Sequence, residues 1–262
     1  MFATKRTANR EVAPCESGED YCSHDTHKEE TPMKENKRDL AVIVGAGGDI
    51  GAATVMEFQR RGYRTASLCR NEHGWMPHED VDSTVHFAEL NRYFDPLAFW
   101  KDVSKLHGKA PTVIAYCSSR FSTDPVWSAE AIEEHMLENV YIPMRLGEKL
   151  KRGALVVLSD RRRVYETRAA YGISLAARTA MIKHLALLKS PEVTANELLL
   201  GPITPLISGV GGKEATARTL GPARRKGSAE EVAEMVAHVA ETPYLNGCSV
   251  SFDGGLSVKD YH

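Results

Sequence analysis

Apolar and polar positions alternate along most of this chain in two rhythms. Short apolar runs at 39–44, 64–69, 84–87, 111–117, 153–158, 193–200 and 247–252 read as strands. Between them, apolar residues recur at helical spacing over 50–61, 96–107, 128–151, 168–189 and 229–241. Strand and helix take turns, which predicts an α/β domain: a doubly wound sheet of seven parallel strands with helices on both faces. No internal repeat interrupts it. Residues 1–37 lack the pattern and are rich in Lys, Glu, Asp, Thr and Ser, so they are expected to form a disordered tail before a single domain at 38–262. The stretch 205–227, rich in Gly and basic residues, reads as a mobile loop before the last strand.

Composition narrows the class without changing the picture. The chain has 262 residues, enough for one α/β domain with a full core. A net charge of -2 gives no reason to expect a nucleic-acid partner. No apolar run approaches a membrane span, and the N-terminus lacks the apolar core of a secretory signal. Five scattered cysteines do not suggest a disulfide framework, so a reduced, cytoplasmic protein is expected. Cys15, Cys22, His24 and His27 lie in the tail, but their spacing is unlike that of zinc fingers, and no metal is expected.

The chemistry begins after the first strand. Leu40–Val44 runs into Gly45-Ala46-Gly47-Gly48-Asp49-Ile50-Gly51 and then an amphipathic helix. Strand, glycine turn and helix form a cradle for a dinucleotide pyrophosphate. Glycines let the backbone approach the phosphates, and the helix N-terminus offers free N–H groups. Asp49 is the odd member, since its carboxylate repels phosphate unless it points away. After the second strand stands Arg70, with no acidic residue to take ribose hydroxyls. A guanidinium suits a 2′-phosphate, so NADP(H) is the expected cofactor.

From about Asp39 to Leu256 the chain resembles the short-chain dehydrogenase/reductase family. The resemblance rests on the glycine run, read as G-x-x-G-x-x-G through Gly45, Gly48 and Gly51. It rests also on Gly227-Ser228-Ala229-Glu230-Glu231-Val232-Ala233 and on Asn246–Gly255 with its Asp253-Gly254-Gly255 turn. It implies a Rossmann-like fold and a small-molecule carbonyl or alcohol substrate. It assigns Glu89 and Leu90 to the adenine, and Cys117 to the turn after the fourth strand. Gly201, Ile203 and Thr204 would lie beside the nicotinamide, with Leu200 where a Pro is usual.

The family's centre is a Tyr-x-x-x-Lys pair with a Ser and an Asn. The resemblance carries over to Tyr171 and Asn139, and to Ser159 or Asp160 at the strand end. At the Lys position stands Leu175, which can neither hold a ribose nor stabilise a phenolate. Tyr165 restores no pair, because Ala169 lies four residues on and Gly172 seven. Ala115-Tyr116-Cys117-Ser118 replaces the family's Asn-Asn-Ala-Gly. Arg161, Arg162 and Arg163 after the strand and Arg178 on the helix are the cations weighed as substitutes for the Lys, and they read as solvated surface or subunit contacts.

Three functions stay open on sequence alone: an NADP(H)-dependent oxidoreductase with a degenerate centre, an inactive binding or partner subunit of the same fold, and a non-redox enzyme using Tyr171 and Asp160 as acid and base. The helices at 128–151 and 168–189 are apolar around much of their girth. A homodimer or homotetramer, or pairing with a related active subunit, is therefore expected.

Overall fold

The computed structural model describes residues 39–70, 83–121, 128–162, 168–204 and 220–259. The tail with its Cys and His residues, Arg163, Tyr165 and most of the 205–227 loop lie outside the described residues. The strands are β1 (Leu40–Val44), β2 (Arg64–Cys69), β3 (Ser83–Phe87), β4 (Val113–Tyr116), β5 (Gly153–Asp160), β6 (Val193–Leu200), β7 (Ile203–Thr204), β8 (Gly227–Ser228) and β9 (Ser249–Phe252). The helices are α1 (Asp49–Arg60), α2 (Pro96–His107), α3 (Ala129–Met136), α4 (Ile142–Lys149), α5 (Ala169–Lys189), α6 (Ala229–Ala240) and α7 (Leu256–Lys259). A π-helical turn, Leu137–Tyr141, joins α3 to α4.

Seven strands form one parallel sheet in the order β3-β2-β1-β4-β5-β6-β9. This is the doubly wound sheet read from the alternation. Its strand order turns outward in both directions from β1 and β4. The crevice outside their C-terminal ends is where such sheets bind ligands.

Each strand presents alternate residues to opposite faces. Leu40, Val42 and Val44 pack with Phe99 and Val103 of α2, Ile142 and Leu146 of α4, and Ile182 and Leu185 of α5. Ala41 and Ile43 pack with Val55 and Phe58 of α1 and with Val232 and Val236 of α6. Five consecutive buried residues in β1 are what a strand covered on both faces requires.

Local chemistry sets the helix ends. Asp95 caps α2 by accepting from Leu97 N–H and Ala98 N–H; Pro96 sits in the first turn, and Gly108 ends the helix at φ 67°. Ser228 and Glu231 form a reciprocal capping box on α6.

Two features depart from the sequence reading. The helix expected at 128–151 is interrupted by the π turn. The end of the 205–227 loop is ordered: Gly227–Ser228 pairs in parallel with Ile203–Thr204. No helix among the described residues is long and apolar enough to cross a membrane.

Candidate active site

The glycine turn is built as the spacing demands. Gly45 takes φ 85°, and the N–H groups of Gly45 and Ala46 both donate to Leu68 O, at 2.8 and 3.2 Å. A Cβ on Gly45 would stand 3.0 Å from Ser118 N and 3.1 Å from the Cys117 carbonyl carbon, so this turn lies directly against the start of the loop after β4. A Cβ on Gly51 would lie 2.1 Å from Gly45 O, which fixes the close approach of α1 to the turn. Gly48 differs: the nearest atom to its Cβ position is Gly45 O at 3.8 Å, leaving open space above the N-terminus of α1. Asp49 is exposed in the first turn of α1, where a carboxylate suits the helix dipole, and Ile50 is half-buried.

A cavity of about 300 Å³ is lined by Arg70, Glu89, Leu90, Asn91, Arg120, Phe121 and Glu138. Arg70 and the Glu89–Leu90 pair, named from two separate readings, therefore meet in one place. The other four lining residues were missed. Arg120 and Phe121 belong to the segment where the family's Asn-rich pattern is lost, so no motif pointed to them. Glu138 is buried and accepts from Ser118 Oγ at 2.8 Å. Cys117 places its backbone against Gly45, but its thiol turns inward to Thr54 Oγ1 at 3.9 Å. Burial pushes that thiol up to about 12.

The residues that the resemblance assigns to catalysis lie at the end of β5, in the π turn and at the start of α5. Tyr171, at the start of α5, is 5% exposed, with its ring edge-on to Phe121 at 5.1 Å and against His135 at 6.2 Å. Arg168 also stacks on Phe121, its guanidinium carbon 4.1 Å from the ring centroid. Leu175 is fully buried. Ser159 is buried near the end of β5. Asp160 follows it, and its Oδ1 accepts the N–H of Arg162 at 2.8 Å, an ordinary turn contact. Gly201 is required by packing, since its Cβ would stand 2.7 Å from Asp253 Cα. Ile203 and Thr204 form β7, and the Thr204 hydroxyl donates to Gly227 O.

Asn139 sits in the π turn, fully buried. Its Nδ2 donates to Ser174 Oγ at 2.9 Å and to Arg120 O at 3.3 Å. Its Oδ1 accepts from Arg120 N at 2.9 Å, Ser119 Oγ at 3.1 Å and Arg178 Nη2 at 3.0 Å. Ser174 Oγ in turn donates to Tyr171 O at 2.7 Å.

Arg178 corrects the sequence reading. It is neither solvated nor at the surface: it is among the largest fully buried side chains in the domain. Its Nε donates to Asn139 O at 2.7 Å and its Nη1 to Leu158 O at 2.6 Å. The guanidinium carbon lies 5.9 Å from the Tyr116 ring centroid. The available signal was its phase, two helical turns after Tyr171 on the same face. Arg161 is also more enclosed than expected, 3.7 Å from Asp253 Oδ2 with 20% of its side chain exposed.

Comparison with known proteins agrees with this fold. Residues 139–257 match the family model described as Enoyl-(Acyl carrier protein) reductase. No curated protein sequence matches the chain. Among solved structures it is similar to the ligand-free aldohexose dehydrogenase of Thermoplasma acidophilum, at 19% identity and TM-score 0.72, over 84% of this chain and 94% of that one. It is similar to a blue fluorescent protein from a metagenomic library in complex with NADPH, at 20% identity and TM-score 0.72, over 84% and 98%. It is similar also to 4-hydroxyisoleucine dehydrogenase complexed with NADH, at 16% identity and TM-score 0.76, over 84% and 99%. At these identities the structural likeness is one of fold. Residues 139–257 thus carry the sequence pattern of that reductase family model, and the described domain has the fold of these dehydrogenases.

Proposed function

We propose that this chain is an NADP(H)-binding oxidoreductase with a degenerate proton-relay centre, acting on a small carbonyl or alcohol. The observation that carries the reading is the cavity in which Arg70, Glu89 and Leu90 meet, in a chain whose glycine turn leaves room for a Cβ at Gly48. The residues present fit a dinucleotide. The turn and the α1 N-terminus would hold its pyrophosphate, Arg70 a 2′-phosphate, and Glu89 with Leu90 the adenine. The bound cofactor would supply or accept a hydride.

Beyond the cradle, the chain's own contribution is thin. A proton relay is worth about two to four orders of magnitude in rate. Leu175 has no charge to support one. Weak turnover on ordinary ketones is the expected outcome.

The test is Arg70→Ala, with NADPH and NADH titrated separately by calorimetry. Loss of NADPH affinity well beyond any loss for NADH supports the reading. Equal loss for both cofactors removes Arg70 from the 2′-phosphate.

A second reading, a catalytically silent binding or partner subunit, is favoured by Leu175 in the core and by Phe121 lying across Tyr171. It keeps the cofactor cradle and predicts binding without turnover. The non-redox reading has less support, because one oxygen of Asp160 is engaged by the Arg162 N–H.

A further inference from the structure

A guanidinium taken fully out of water is costly unless its N–H groups find partners. Arg178 finds them in two other elements. Each backbone acceptor lacks one regular secondary-structure donor. In an α-helix Asn139 O would accept from residue 143, but that residue is Pro143 and has no N–H. The π turn falls at this place, and Arg178 Nε takes the carbonyl instead. β4 ends at Tyr116, opposite Val157, so β5 has no β4 partner from Leu158 onward. Arg178 Nη1 takes Leu158 O.

The consequence reaches the cavity through one residue. Asn139, held at both its carbonyl and its amide oxygen by Arg178, grips both main-chain polar groups of Arg120. Arg120 and the next residue, Phe121, form one wall of the cavity. We propose that Arg178 is a positioning residue which, through Asn139, fixes the main chain of Ser119–Phe121 and so sets that wall. It acts from the core and is not among the cavity's lining residues. The ligand of the cavity rests on the function proposed above; the positioning of its wall does not.

The experiment is amide hydrogen exchange on the ligand-free wild type, Arg178→Met and Arg178→Lys, followed by NADPH titration of each. In the wild type the Arg120 amide is protected like those of Ile114 and Ala115 in β4. In Arg178→Met, exchange at Ser119–Phe121 rises by about tenfold or more, the equivalent of one ordinary hydrogen bond, while β1 and β4 keep their protection. NADPH affinity falls by about the same factor, and Arg178→Lys, with one reach instead of three, lies between.

Unchanged exchange at Arg120 in a folded Arg178→Met overturns the proposal. So does an equal rise throughout the sheet, the mark of a packing role alone. If Arg178→Met does not fold, the wild type still decides: an Arg120 amide exchanging like free peptide overturns it. If the loop loosens as expected but wild type binds no NADPH, the positioning stands and the cofactor reading fails.

Discussion

Gly48 and Gly51 stand three residues apart in one turn and do different work. A methyl on Gly51 meets Gly45 O at 2.1 Å, so Gly51→Ala must push α1 off the turn. It is expected to cost about 3 kcal/mol of stability, measured by urea denaturation. A methyl on Gly48 meets nothing nearer than 3.8 Å. Gly48→Ala is expected to fold with near wild-type stability and to lose dinucleotide binding, because the methyl fills the space proposed for phosphate. A Gly48→Ala protein that binds NADPH normally contradicts the cradle. Leu175 tests the relay in the same way. Leu175→Lys places an ammonium at a fully buried position, so its melting temperature should fall. If the fold remains, turnover is expected to rise or its pH optimum to move down, since a nearby cation favours phenolate. A pH–rate profile reads this, and a folded variant with lower turnover shows that the chain uses a different centre.

Helices and strands were largely legible in the sequence because burial imposes a period on them. The unbroken apolar run of β1, the Asp95 cap with Pro96, and the Ser228–Glu231 box each leave a mark within a few residues. The capping box gives a measurable consequence. Ser228→Ala is expected to cost about 1 kcal/mol. Glu231 is held down at about 2, first by its bond to Arg225 and then by the Ser228 N–H. A depressed carboxylate stabilises the fold above its unfolded value and loses that contribution as pH falls through its folded one. The support from Glu231 is thus present above about pH 4.5 and gone by about pH 2, and Glu231→Gln should flatten the acid limb of the stability curve over that window. The π turn left no such mark, since one inserted residue shifts a helix face without changing its composition. Arg178 was misread for a related reason. A charge on a helix is usually solvated, and its partners, Asn139 and Leu158, are 39 and 20 residues away in sequence. The Arg120–Phe121 wall was illegible too, because it replaces a familiar segment with one that matches no motif.

At the scale of the whole molecule, the sheet brings the glycine turn, Arg70, Glu89 and Leu90 to the C-terminal ends of β1–β3, while β5 ends at Ser159–Asp160 and Tyr171 lies in the first turn of α5. The outer face of α5 carries Ile173 at 38% exposure and Leu187 and Leu188 at 76% each, with Tyr141 of the π turn at 46%. Exposed apolar side chains on these neighbouring helices support the expected assembly on a second subunit. Light scattering at micromolar concentration should give a dimer or tetramer, and Leu188→Glu should shift it toward monomer. A wild-type monomer would contradict the assembly and weaken the partner-subunit reading with it.

The central claim is that the cavity and turn hold NADP(H). Calorimetric titration of the wild-type chain with NADPH and then NADH tests it most directly. NADPH is expected to bind saturably and at least about tenfold tighter than NADH, one charge-assisted contact's worth. Saturable binding of neither cofactor, or tighter binding of NADH, would contradict it.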